Sequence, residues 1–154
     1  GRTYFEVLLH NDGIAPFYKR WNVQLGILPR ECPEAPAKII DVNTDLREVG
    51  PGETITLKGY IEELDHRQNY QLALRICQPR AETTKPKPWP LKARHVYVVL
   101  ANDLDVIEGV WDPQTNGLQG GWNILSKIER VKPRLGSQDL FPMRGSFRPP
   151  VATD

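Results

Sequence analysis

Apolar and polar positions alternate with period two along most of the chain, and helical periodicity is nearly absent. Residues 4–10 put Phe5, Val7 and Leu9 on one face of a strand. Residues 21–27 alternate without a fault, from Trp21 through Val23 and Leu25 to Ile27. They predict the clearest half-buried strand, with Trp21 turned to the core. Lys38–Val42 reads as a short strand, and the Pro51-Gly52 turn leads into a further alternating run over 54–61. In 69–77, Tyr70, Leu72, Leu74 and Ile76 share a side. Residues 94–101 are more uniformly apolar and predict a central strand buried on both faces. Asp105–Trp111 and Asn123–Val131 supply the last one or two strands.

About eight short strands separated by turn signals predict an all-β fold, an antiparallel β-sandwich of immunoglobulin-like or jelly-roll-like form. The turns are expected at Asn11-Asp12-Gly13, with Gly13 free to take a positive φ, at Pro51-Gly52, Asp65-His66 and Gly120-Gly121. The expected core holds Phe5, Val7, Leu9, Val23, Leu25, Ile27, Ile55, Leu57, Leu72, Leu74, Val96, Val98 and Leu100. Residues 1–131 fit this single unit. From Lys132 onward Pro133, Gly136, Pro142, Gly145, Pro149 and Pro150 break the pattern. Residues 132–154 are therefore expected to form a Pro-rich tail, packed on the sandwich or acting as a linker.

Composition narrows the function classes. Twenty Lys and Arg stand against nineteen Asp and Glu, a net charge of +1 that gives no electrostatic ground for nucleic acid or an anionic membrane. No apolar run reaches the roughly eighteen residues of a transmembrane helix. The chain starts without Met and goes straight into a strand pattern, as expected of a mature chain or a piece of a larger one. Cys32 and Cys77 are either free thiols or one bridge; a bridge would close a loop of about 45 residues and stabilise by about 3–4 kcal/mol. No CxxC and no neighbouring His completes a thiolate metal site.

Catalytic chemistry finds little support. His10 and His95 sit inside strand runs, and His66 lies in a polar turn beside Asp65, where neighbours on a strand would face opposite ways. No Gly-flanked serine elbow, phosphate-binding loop, dinucleotide fingerprint or HExxH pattern occurs. The expectation is a non-enzyme without a required cofactor. Asp103 and Asp105, with Asn102, Glu108 and Asp112 nearby, offer hard oxygen ligands for a structural calcium ion, at a spacing unlike the EF-hand. Acidic residues in such a loop are ordinarily just solvated.

Aromatics carry the sharper expectation, because flat amphipathic rings beside a few polar anchors suit the apolar faces and hydroxyls of sugars. Trp89 stands among prolines in the stretch 85–90. Trp111 and Trp122 bracket a long polar, Gly-rich segment containing Asp112 and Asn116. Loops at the ends of a sandwich carry function on a rigid scaffold, so Trp111, Trp122, Asn116 and Asp112 form the expected sugar site, with Trp89 second to them.

Two stretches carry a family resemblance. The run His10-Asn11-Asp12-Gly13-Ile14-Ala15-Pro16-Phe17-Tyr18, leading into Trp21-Asn22-Val23-Gln24-Leu25, resembles an Asn-x-Gly-x-Ala-Pro-x-Tyr signature. That signature belongs to accessory β-sandwiches found C-terminal to glycoside-hydrolase-like TIM barrels. Tyr70–Arg75, Val96–Asn102 and Trp122-Asn123-Ile124-Leu125 are similar to later strands of the same family, so the resemblance covers about residues 4–131. It implies a secreted, extracellular or periplasmic, non-catalytic module of a polysaccharide-degrading enzyme. Its partners would be a polysaccharide or oligosaccharide and the catalytic domain of the parent chain. The alternative is a structural module that packs on that barrel and binds no sugar itself.

Overall fold

The computed structural model describes residues 2–13, 17–62, 68–78, 97–101, 104–112, 117–128 and 143–149. Its strands are β1 (Arg2–Asn11), β2 (Asn22–Pro29), β3 (Lys38–Val42), β4 (Thr54–Glu62), β5 (Tyr70–Cys77), β6 (Val106–Ile107), β7 (Val110–Asp112), β8 (Gly117–Gln119), β9 (Trp122–Ile128) and β10 (Met143–Phe147). A 3-10 turn, Leu46–Glu48, lies between β3 and β4. One sheet runs β10-β1-β4, the other β3-β2-β5-β9-β6, and β7 and β8 form a separate hairpin. The protein is a β-sandwich.

Alternation builds the core as the sequence predicts. Phe5, Val7 and Leu9 of β1 and Leu57 and Ile61 of β4 face Val23, Leu25 and Ile27 of β2 and Leu72, Leu74 and Ile76 of β5, all in one buried cluster. Trp21 and Phe17 cap it, their ring centroids 5.4 Å apart. Of the expected core residues, Ile55 is only partly buried against the cluster, and Val96 lies outside the described residues. The turns at Gly52 and Gly120-Gly121 use positive φ as expected. The Asp65-His66 turn lies outside the described residues.

Gly13 does not take a positive φ. Its glycine is needed for close approach instead: a Cβ there would meet the Pro149 ring at 2.8 Å. The Asn11-Asp12-Gly13 motif is a structural corner. The Asn11 carboxamide donates to the Val49 carbonyl at 2.8 Å, and its oxygen accepts from the Gly13 amide at 2.9 Å.

The structure bears on three other expectations. Residues 97–101 do not form a two-sided strand: Tyr97 makes an isolated bridge to Cys77, Val98 and Leu100 are buried, and Val99 is 53% exposed. The Asn123 side chain ties this segment to β5, donating to the Leu74 and Val98 carbonyls (3.1 and 3.0 Å) and accepting from the Leu100 amide (2.9 Å). The tail is no loose linker over 143–149. Met143–Phe147 is strand β10, paired parallel to β1, and Phe147 lies wholly in the core 5.5 Å from Phe17. Parallel pairing needs a long connection rather than a hairpin, and strands from opposite ends of the chain satisfy that automatically. Lastly, the polar stretch between Trp111 and Trp122 contributes the short β7–β8 hairpin rather than an open loop. Cys32 is an exposed free thiol and Cys77 a buried one.

Candidate functional site

The outward phase of the larger sheet explains what Trp122 does. Gly26 and Ala73 are register partners on β2 and β5, and their small size leaves a shallow bed beside β9. The Trp122 ring fills it; a Cβ on Gly26 would meet that ring at 2.7 Å. Trp122 is 1% exposed and clusters with Leu28 and Ala73. A ring so enclosed offers no face to a sugar, so Trp122 is withdrawn from the expected site.

Arg75, which the sequence reading passed over, locks this arrangement. Its guanidinium stands 4.2 Å from the centroid of the Trp122 ring. Nε and Nη2 donate to Gln24 Oε1 at 2.9 and 2.7 Å, while Nη1 reaches the Leu118 and Gly120 carbonyls at 3.2 and 2.9 Å. Gln24 Nε2 in turn donates to Asp41 Oδ1 at 2.8 Å. Burial pushes the Arg75 pKa down, with the nearby Cys77 and Asp41 acting against that shift. Burial likewise pushes the Cys77 thiol up. Asp41, Gln24 and Arg75 are thus a polar row across β3, β2 and β5 that holds β8 down on the sheet. The signal was present in sequence: small Gly26 and Ala73 sit on the strands that carry Gln24 and Arg75, in the same outward phase.

The remaining expected residues are not brought together within the described structure. Trp111 and Asp112 have their backbones in β7, while their side chains, together with Asn116, Trp89 and Asp103, lie outside the described residues, as do His66 and His95. Asp105 is exposed, and its carbonyl accepts from the Ile124 amide at 2.8 Å. Among the described residues no three His, Cys, Asp or Glu side chains converge as a metal site. His10 bonds through Nδ1 to Thr54 Oγ1 at 3.0 Å, a cross-strand contact of β1 and β4.

An open surface lies elsewhere. β3 and β4 are terminal strands of their respective sheets, and a groove of about 580 Å3 runs between them. Phe5, Leu57 and Gly59 line its apolar part; Asp41, Asn43, Thr44, Thr56, Lys58 and Tyr60 supply polar groups. A second depression of about 320 Å3 shares Asp41–Thr44 and extends the surface to Arg20 and Asn22. Thr56, Lys58 and Tyr60 arise from the outward phase of β4, whose inward phase places Leu57 and Ile61 in the core. Tyr60 is 59% exposed and tilts at 60° against Tyr4, its register partner on β1, with ring centroids 5.4 Å apart.

The end of the groove is fixed by a local cap. Asp45 caps the 3-10 turn, accepting from the Arg47 amide at 3.0 Å and from the Arg47 guanidinium at 2.6 Å. Those side-chain and backbone bonds from Arg47 hold the Asp45 carboxyl at about 2, well below its usual value. Leu46, inside the same turn, is buried and anchors the crossing from one sheet to the other. Sequence reading missed this surface because its residues come from two sheets, and Tyr60 looked like any outward strand residue.

Comparison of the chain with family models, with curated proteins and with solved structures returns no match.

Proposed function

We propose that this chain is a non-catalytic carbohydrate-binding module whose binding surface is the groove between β3 and β4. The observation that carries the reading is Tyr60, a large aromatic ring 59% exposed on the rim of a groove that also presents amide, hydroxyl and charged groups. Pyranose rings have apolar C–H faces that stack on such a ring, while their hydroxyls take neighbouring polar anchors. Asn43, Thr44 and Thr56 are anchors of that kind. The family resemblance of the 10–25 stretch supports the same class. Affinity electrophoresis of the chain through gels containing a panel of polysaccharides tests it. Retardation by at least one polymer, lost in Tyr60→Ala, is the expected result; normal retardation of that variant moves the site elsewhere, and no retardation by any polymer rejects the reading.

A second reading has its own support. Ile39, on the terminal strand β3, is 46% exposed, and Tyr60 stands exposed on terminal strand β4. Two strands that end their sheets among the described residues suit coverage by another domain of a parent chain. In that case Ile39→Lys weakens association with the catalytic domain and no glycan retards the isolated module.

A further inference from the structure

We infer that Asp41 sets the specificity of the groove, which takes neutral, hydroxyl-rich glycans in preference to carboxylated ones. This rests on the carbohydrate-binding reading and deepens it by naming the ligand class and the residue that selects it. Asp41 lines both of the joined depressions. It is bonded differently from its neighbour Asp45, just beyond the lining. Asp45 is occupied through both oxygens: Arg47 Nε donates to Oδ1 and Oδ2 at 3.0 and 3.1 Å, and Nη2 donates to Oδ2 at 2.6 Å. Asp41 is exposed and accepts through Oδ1 alone, from Gln24 Nε2 at 2.8 Å. Its Oδ2 takes no hydrogen bond from the described residues.

The one bond that Asp41 makes fixes its direction. Gln24 Oε1 is itself gripped by Nε and Nη2 of Arg75 at 2.9 and 2.7 Å, and that guanidinium is buried against the Trp122 ring. The carboxylate is thus held from behind and keeps lone pairs for a ligand that donates. Sugar hydroxyls donate, and their bonds to a carboxylate are about twice as strong as bonds between neutral groups. An ionised glycan carboxylate has no proton to give and meets a like charge at this position. The cations do not reverse that preference. Arg20 adds its charge to the field at Asp45, and Lys58 is the register partner of Glu6 on β1. Tyr60 lines the same groove, with Tyr4 packed against its ring, so stacking and hydroxyl recognition act on one ligand.

The test measures affinity of the 154-residue chain for mixed-linkage β-glucan, galactomannan and soluble starch, each beside its O-methylated derivative and its derivative carboxylated at the primary alcohol. At least one neutral polymer is expected to bind about tenfold or more tighter than its carboxylated derivative, the size of one charge-assisted contact. Asp41→Asn keeps an oxygen for Gln24 and loses the charge. It should lower affinity for the neutral polymer about tenfold, narrow the lead over the carboxylated form, and leave binding of the methylated form, which has no hydroxyl protons, unaffected. An unchanged urea midpoint establishes that the variant is folded. Native affinity of Asp41→Asn for the neutral polymer, or a carboxylated derivative that binds as tightly as its parent, overturns the selectivity and leaves glycan binding standing. Absence of binding to every polymer overturns the carbohydrate reading along with it.

Discussion

The two flanks of the sandwich solve the same problem in opposite ways. On one flank, residues 97–101 lie against both sheets: the Val98 amide donates to the Ile76 carbonyl of β5, and the Ala101 amide to the Ser146 carbonyl of β10. Asn123 adds two bonds to this segment, to the Leu100 amide and the Val98 carbonyl, from a side chain that is fully buried. On the other flank, β3 and β4 end their sheets with a groove between them, crossed at its margin by the Lys38 ammonium, which donates to the Glu62 carbonyl at 3.3 Å. Closure demands that every buried polar group find a partner. An open flank can leave polar side chains to solvent or to a ligand. Buried polar pairing is thus concentrated on the first flank, and the proposed binding surface lies on the second.

Removing the strand that completes the closed flank should have the largest effect. Deleting residues 141–154 takes away β10 and with it Phe147, whose truncation to Ala alone would cost about 3–5 kcal/mol for a ring so buried. The expected outcome is loss of the cooperative urea transition and of near-ultraviolet circular dichroism. A folded product would show that the sandwich closes without β10. Asn123→Leu should follow in size. It strands the Leu74 and Val98 carbonyls and the Leu100 amide, and the penalty for such groups is about 1–3 kcal/mol each. A clear fall in the urea midpoint at unchanged m-value is expected; a loss under about 1 kcal/mol would mean that the backbone groups find other partners.

How much of this difference was legible in the sequence follows from its physics. The open flank is made by period-two strands, and their inward residues, from Phe5 to Leu74, could be named because burial follows alternation. The closed flank depends on Asn123 and β10. A polar residue that bonds three backbone groups looks, in sequence, like any polar residue at the start of a strand. Met143–Phe147 holds Arg144, Gly145 and Ser146 between its apolar ends, so its apolar content is too low to announce a strand beside the Pro-rich residues around it. Residues 94–101 misled in the other direction: their apolar run suggested burial on both faces, yet Val99 is 53% exposed between the buried Val98 and Leu100. At the site, proximity along the chain singled out tryptophans, whereas the groove is assembled from β3, β4 and β1, whose approach only the crossover between sheets creates.

Between the flanks, the bed of the Trp122 ring offers an intermediate perturbation. Gly26→Val adds a branched side chain where even a Cβ would lie 2.7 Å from the ring. Overpacking of this kind costs about 1–3 kcal/mol. Displaced from Gly26, the ring should also leave the Arg75 guanidinium, so a red-shifted tryptophan emission should accompany the lower midpoint. Tyr60→Ala, by contrast, is an exposed substitution on the open flank and should change stability by no more than about 0.5 kcal/mol. A large loss of stability there would mark the tyrosine as structural and remove the contrast between the flanks.

The smallest effect belongs to the Asp45–Arg47 cap at the end of the groove. Asp45 has its folded-state pKa lowered to about 2 by side-chain and backbone hydrogen bonds from Arg47. A depressed carboxyl pKa means that the ionised form is bound better in the folded state than in the unfolded one. Its contribution is therefore fully present above the unfolded value near 3.8 and is lost as pH falls through about 2. The pair is exposed to solvent, so screening keeps the contribution small and makes it weaker in salt. Asp45→Asn should lower the urea midpoint slightly at pH 7, by less than any destabilising variant above, and the gap from the native chain should close on titration from pH 4 to pH 2. Asparagine still accepts a hydrogen bond at the cap, so whatever gap remains at pH 7 reports the charge. A gap that stays constant across that titration would show that the carboxylate acts at this end of the groove through shape alone.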